Sequence, residues 1–100
     1  MAQTITGTIG TLVSLTTVSH DPTTITATGV LNAGLIGDVT RQWQVVNLWT
    51  IARTDGICVY LGFGGSVTNT GTASKITGST YGIQVHGNAG TIVNSGVISG

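Results

Sequence analysis

The last 45 residues of the chain repeat a pattern that few folds can accommodate. Residues 56–71 and residues 82–96 both begin with Gly-Ile-x-Val, continue through a glycine-rich stretch and end in an apolar residue followed by x-Asn-x-Gly. Each is followed by a further match, Ile-Thr-Gly at residues 76–78 and Ile-Ser-Gly at residues 98–100. A unit this short cannot enclose a core by itself, so neighbouring units must stack on one another. The repeat therefore predicts a solenoid.

A fainter form of the repeat runs through the rest of the chain. We aligned the apolar residue that opens the asparagine-containing segment and looked for its equivalents towards the N-terminus. The five anchors found in this way are 20, 20, 22 and 25 residues apart: Ile5, Ile25, Val45, Val67 and Ile92. The repeats are clear over residues 56–100 and less regular over residues 1–55. We therefore predict one domain over residues 1–100, with the five anchors facing its core.

Each unit is predicted to consist of short strands. Residues 24–28 alternate polar and apolar side chains and are rich in threonine and isoleucine, which is typical of strands. Glutamate is absent and 16 glycines interrupt the chain, so helix propensity is poor. We predict an all-β parallel β-helix (β-solenoid) of about five coils of 20–25 residues.

Three asparagines occupy the same position in successive units. Asn47, Asn69 and Asn94 each lie two residues after an anchor. Identical amide side chains stacked coil over coil can form a hydrogen-bonded ladder, as they do in cross-β assemblies. Asparagine also tolerates the backbone of a sharp corner. We therefore predict a structural ladder at these three residues.

The repeats resemble those in the passenger regions of bacterial autotransporter and haemagglutinin-like surface proteins. The resemblance is carried by residues 56–71 and 82–100, and residues 43–51 are a fainter copy. It implies a right-handed parallel β-helix that is exported and forms a stalk or an adhesive surface, outside the cell or on the bacterial cell surface. The sequence has no signal peptide and no translocator barrel, so the expectation is a piece of a passenger or a small relative.

Charge and hydropathy exclude two classes of partner. The formal net charge is zero, and the three basic residues, Arg41, Arg53 and Lys75, are scattered. No basic patch is therefore predicted, and we expect no binding to nucleic acid. No apolar run approaches the roughly 18 residues of a membrane span, so we expect no membrane insertion.

The chain offers little for catalysis or metal binding. Asp21, Asp38 and Asp55 lie 4, 7 and 12 residues before their anchors, so they do not stack in one column. Two distant histidines and one cysteine make no credible set of metal ligands. We expect no enzyme activity, no metal and no cofactor. Cys58 is expected to be either a buried thiol or an unreactive surface residue.

The favoured functional hypothesis is a structural or adhesive surface protein whose stack is its function. An end coil without a polar cap exposes unpaired backbone groups and invites further strands. We expect end-to-end association with other copies, giving an oligomer or filament, or with the rest of a longer passenger. A host surface or a glycan is a further partner for such a stalk.

Two alternatives stay open. One is ice binding through a flat Thr-x-Thr array, since Thr4, Thr6 and Thr8 fall in phase with Thr24, Thr26 and Thr28. The other is binding or processing of glycans by the least regular coil, because an exposed aromatic pair suits contact with a sugar or a protein. The predicted contact residues of that coil are Trp43, Trp49, Arg41 and Asp38. The other expectation for the two tryptophans is that they pack in the interior or over a neighbouring coil.

Overall fold

The computed structural model describes residues 3–17 and 20–100 of the chain. It confirms an all-β solenoid of stacked parallel strands. The strands within the described residues are β1 (Gln3–Ile5), β2 (Thr8–Ile9), β3 (Val13–Leu15), β4 (Thr23–Ile25), β5 (Val30–Leu31), β6 (Leu35–Gly37), β7 (Trp43–Asn47), β8 (Thr50–Ala52), β9 (Ile57–Leu61), β10 (Gly65–Asn69), β11 (Lys75–Thr77), β12 (Tyr81–Val85), β13 (Gly90–Asn94) and β14 (Val97–Ser99).

The strands form three parallel sheets, one on each side of the solenoid. Sheet A has the order β1-β4-β7-β10-β13, sheet B has β2-β5-β8-β11-β14, and sheet C has β3-β6-β9-β12. Each run of three consecutive strands is therefore one coil, from coil 1 (β1–β3) to coil 4 (β10–β12). Coil 5 contains only β13 and β14 among the described strands. The stack thus has four complete coils and two strands of a fifth, where the sequence predicted five.

The register follows the predicted repeat between coils 1 and 2, where Ile5 pairs with Ile25, and in the last three coils, but departs from it between coils 2 and 3. Val67 pairs with Val45 on one side and with Ile92 on the other, as predicted. The predicted match of Ile25 to Val45 is wrong, because Ile25 pairs with Asn47 and Thr23 pairs with Val45. Side chains of a strand alternate between its two faces, so a shift of two residues keeps the same faces inward. The pattern of alternation therefore could not reveal the shift.

The core runs along the axis of the stack and is mostly apolar, and its buried polar residues are Thr23, Asn47, Asn69 and Ser74. Four of the five predicted anchors are buried, and their exposed fractions are at most 5%: Ile5, Ile25, Val45 and Val67. The fifth prediction is wrong in that Ile92 is 49% exposed. Ile92 occupies the same column as Val67, but it lies in coil 5, the last and incomplete coil of the stack. Facing inward buries a side chain only where other strands enclose it.

Trp43 is the largest fully buried side chain of the protein. It lies on the same face of β7 as Val45, and its indole Nε1 donates a hydrogen bond to the Asp38 carbonyl oxygen at 3.0 Å. Space for the ring depends on Gly37, where a Cβ atom would lie 2.4 Å from Trp43 Cδ1. Gly65 passes so close to Trp43 that a Cβ would lie 2.1 Å from its carbonyl oxygen, and its φ of +128° also favours glycine. Gly37 therefore makes room for the indole, and Gly65 allows β10 to lie close to the backbone of β7.

Candidate functional site

The structure does not bring the predicted aromatic contact residues together on one surface. Trp43 is buried in the core, which contradicts its assignment to a contact surface. Trp49 is 38% exposed in the turn after β7, whereas Arg41 precedes the opposite end of that strand. Arg41 binds Asp21 at 3.3 Å, and its guanidinium lies 5.5 Å from the centre of the Trp43 ring. Arg41 therefore joins coils 2 and 3, and the paired aromatic surface is absent.

The threonines of coils 1 and 2 form no continuous two-rank array. Thr4 pairs with Thr24 on the outer face of sheet A, but Thr8 lies opposite Val30 in sheet B. The Thr28 hydroxyl donates to the Thr6 carbonyl oxygen at 2.8 Å. The threonine array on which the ice-binding hypothesis depends is therefore interrupted. The Thr28 hydroxyl is hydrogen-bonded to the backbone of coil 1.

Asp21 and Asp38 lie in successive turns from sheet C to sheet A, Asp55 lies in a turn from sheet B to sheet C, and each carboxylate is bound by different neighbours. Asp21 binds Arg41, and Asp55 binds Arg53 with an O–N distance of 3.1 Å. Hydrogen bonds from the hydroxyl and the backbone N–H of Thr40 lower the pKa of Asp38. Within residues 3–17 and 20–100, no three histidine, cysteine or acidic side chains are grouped as metal ligands. Asp38 and Asp55 therefore stabilise their own turns, and Asp21 joins its turn to the next coil.

Cys58 is fully buried in β9. Its thiol donates a hydrogen bond to the Ile51 carbonyl oxygen at 3.1 Å. Burial raises the pKa of this thiol to about 11, and the hydrogen bond from the Thr77 backbone and the charge of Arg53 oppose the rise only in part. The thiol is therefore neutral at physiological pH and behaves as a small core residue.

The three predicted ladder asparagines form one hydrogen-bonded column. Asn47 Nδ2 donates to Asn69 Oδ1 at 2.8 Å, and Asn69 Nδ2 donates to Asn94 Oδ1 at 2.9 Å. Asn47 and Asn69 are fully buried, whereas Asn94 is exposed in coil 5. The same column continues downwards through the apolar residues Ile25 and Ile5. The ladder thus begins inside the stack and ends at its C-terminal surface.

That C-terminal surface, formed by coil 5 and by β12 below it, leaves part of the core open to solvent. It holds a depression of about 320 Å³ whose walls include Tyr81, Ile83, Ile92 and Ile98. We call this surface the open end. The outermost strands β13, β14 and β12 each have a neighbour on one side only. Unpaired backbone edges beside an apolar depression are the features that receive a further strand.

The open end carries almost no charge. Residues 80–100 contain no aspartate, glutamate, lysine or arginine, and His86 is their one ionisable imidazole. Charged side chains are one of the common means by which proteins protect exposed strand edges from pairing. The open end lacks that protection, and no like-charge repulsion opposes contact with another neutral coil.

The described chain also contains no helix that is long and apolar enough to cross a membrane. No family model, no curated protein and no solved structure matches this chain. Any functional proposal therefore depends on the geometry of the open end and on the sequence repeats.

Proposed function

We propose that this protein is a structural β-solenoid segment of a bacterial surface that associates end to end through its open end. One observation supports this above all others: an inward-facing core residue, Ile92, is 49% exposed beside unpaired strand edges. Removing apolar surface from water is the dominant favourable term in most protein association. A coil docked on the open end would cover this side chain and pair the free edges of β13 and β14.

The resemblance to passenger repeats supports an extracellular or cell-surface location and a stalk or adhesive role. It also supports right-handed winding, the hand that connections between parallel strands of one sheet strongly favour. The partner in end-to-end contact is another coil, either in a second copy of this chain or in the rest of a longer passenger. No described residue favours ice or a glycan as ligand over this contact.

Sedimentation velocity of the whole chain at rising concentration tests the proposal. We expect the mean sedimentation coefficient to rise with concentration, and the Ile92→Lys variant to weaken that rise because it places a charge in the apolar depression. Thr72→Lys is the matched control, since it adds the same charge at an exposed turn outside the open end. A chain that stays monomeric throughout contradicts the proposal, as does an equal effect of the two lysines.

A further inference from the structure

We propose that the open end selects its partner through Asn94, and that it accepts a parallel coil presenting an acceptor oxygen at the ladder position. The inference rests on the proposed end-to-end association and names the chemistry of the partner. A coil of the same asparagine-bearing kind has that oxygen. The chain's own N-terminal coil does not have it, so that coil can cover the apolar depression only by leaving the Asn94 donor without an acceptor, and it is the weaker partner.

The ladder has a direction, because each amide nitrogen donates towards the C-terminal end of the stack. Asn47 Nδ2 donates to two acceptors in coil 4, Asn69 Oδ1 at 2.8 Å and the Lys75 carbonyl oxygen at 2.9 Å. Asn69 Nδ2 repeats this in coil 5, with Asn94 Oδ1 at 2.9 Å and the Val97 carbonyl oxygen at 3.2 Å. The asparagine Nδ2 of one coil therefore donates two hydrogen bonds to the next coil. The two acceptors are the Oδ1 of the next asparagine and a backbone carbonyl oxygen in sheet B.

Asn94 stands at the end of this series. Its Oδ1 accepts from Asn69 Nδ2 at 2.9 Å and from the Gly96 backbone N–H at 3.1 Å. Within residues 3–17 and 20–100, its Nδ2 has no acceptor at hydrogen-bond distance. By the geometry of the two coils below, this nitrogen points to the place where the next coil would carry its amide oxygen. The open end is thus a hydrogen-bond donor set in an apolar surround.

A donor of this kind discriminates among the coils that could cover it. If the open ends of two copies met face to face, Asn94 Nδ2 of one copy would lie opposite Asn94 Nδ2 of the other. Asn94 Oδ1 could not act as the acceptor, because in each copy it already accepts two hydrogen bonds. The chain's own N-terminal coil would place Ile5 over Asn94, because Ile5 shares the ladder column through Ile25 and Asn47. Covering a donor without supplying an acceptor costs the free energy of removing that donor from water. A coil with asparagine at this position avoids the cost and extends the ladder.

The sequence itself provides a coil with which to test this. Thr77 pairs with Ser99, so Gly78 and Gly100 are equivalent and a second copy of residues 79–100 joined after Gly100 continues the repeat in phase. We would compare three extended chains that differ only in the appended counterpart of Asn94, which is kept as Asn or changed by Asn→Asp or Asn→Leu. Asp keeps the acceptor oxygen without the donor, and Leu removes both while remaining apolar.

We expect the Asn extension to melt about 3–6 °C above the Leu extension, the shift that corresponds to one hydrogen bond in a domain of this size. The side-chain amide protons of Asn94, followed by NMR, should exchange slowly in the Asn and Asp extensions and rapidly in the Leu extension and in the unextended chain. The proton exchange reports the bond to Asn94 itself, which a general gain in packing would not change.

Two results would overturn the inference: a Leu extension that melts as high as the Asn extension, or Asn94 amide protons that exchange rapidly in all three extended chains. Protection of these protons in self-associated, unextended chain would also overturn it, since the N-terminal coil would then be a sufficient partner. The proposed association is judged separately, by sedimentation of the unextended chain. A monomeric chain whose extensions still distinguish Asn from Leu refutes self-association and leaves the selectivity intact.

Discussion

The first and the last coil of the stack are both end coils, yet only one of them is closed. In coil 1 the inward-facing residues Ile5, Val13 and Leu15 are 5%, 9% and 0% exposed. In coil 5 the inward-facing Ile92 is 49% exposed, whereas Ile98 is partly buried, as is its coil 1 counterpart Ile9. Both coils pair with a neighbouring coil on one side of each strand. The presence of a neighbouring coil therefore does not account for the difference in side-chain exposure between coil 1 and coil 5.

The difference follows from the number of strands in each coil. Coil 1 has a strand in all three sheets, so each inward side chain faces two other walls at its own level. Coil 5 has strands in sheets A and B only, and the third side is open within the described residues. Closing the triangle, more than stacking another coil upon it, is what buries the apolar side chains.

The largest predicted contrast is between core truncations in the two coils. Leu15→Ala should lower the free energy of unfolding by about 2–5 kcal/mol, because a fully buried leucine leaves a cavity. Ile92→Ala should cost about 1 kcal/mol or less, since much of its surface is already in water. Urea unfolding of both variants at a concentration where the chain is monomeric measures the two values. Equal losses would contradict the distinction between the closed and the open coil.

The ladder provides the second contrast, between a buried and an exposed asparagine. Asn69→Leu removes the acceptor of Asn47 Nδ2 and two hydrogen bonds made by its own amide, and we expect a loss of about 1–3 kcal/mol. Asn94→Leu should change stability by about 0.5 kcal/mol or less, because water can replace its bonds at the surface. Thermal and urea unfolding would check both. A large loss at Asn94 would mean that the ladder extends beyond coil 5 in solution.

The pH dependence of stability at Cys58 tests the same difference between the closed and the open coils. The pKa of Cys58 is raised to about 11 in the folded protein against an ordinary value of 9.0, so the unfolded chain ionises first as pH rises. The contribution to stability is complete below pH 9 and is lost as pH rises towards 11, with a loss of about 1.4 kcal/mol by pH 10. The free energy of unfolding, compared between wild type and Cys58→Ala from pH 8 to about 10.5, isolates this loss.

Moving the thiol to the open coil serves as the control. In a Cys58→Ala background, Ile92→Cys places a thiol at a residue that is 49% exposed in the wild type. Water can solvate a thiolate there, so we expect no comparable loss between pH 9 and 10. An equal pH dependence at the two positions would contradict the distinction between the closed and the open coil.

The sequence repeat was sufficient to predict the solenoid, the register of the last three coils and the asparagine column. All three depend on identical residues stacking, which a repeat states directly. The repeat was not sufficient for coils 2 and 3, where Ile25 pairs with Asn47. A column that changes from isoleucine to asparagine offers no identity to align, and alternation permits a shift by two residues.

Burial was the property that the sequence predicted least well. The alternation of side chains correctly predicted that Ile92 faces the axis. Whether a third strand closes the coil around it depends on the whole structure and cannot be inferred from the alternation. For Trp43 the sequence is compatible both with packing in the interior and with an exposed contact surface, and the structure shows the first. Its burial depends on the small residue Gly37 in the coil below, which makes room for the ring. That pairing of a large and a small residue lies outside the repeat and was missed.

The smallest predicted effect concerns charge, which is confined to the closed part of the stack. Arg41 binds Asp21 at 3.3 Å and lies over the Trp43 ring, so Arg41→Gln should cost about 1 kcal/mol or less, and less still at high salt. Arg53→Gln is the control, because its partner Asp55 is 83% exposed and the pair should contribute less. Residues 80–100 carry no such pair, so added salt should leave the exchange of backbone amides in β13 and β14 unchanged at fixed pH, while amides of β4 and β7 lose protection. Salt that destabilises the open coil as much as the closed ones would show that the ion pair acts on the whole stack, and that the two ends are less independent than their exposed surfaces indicate.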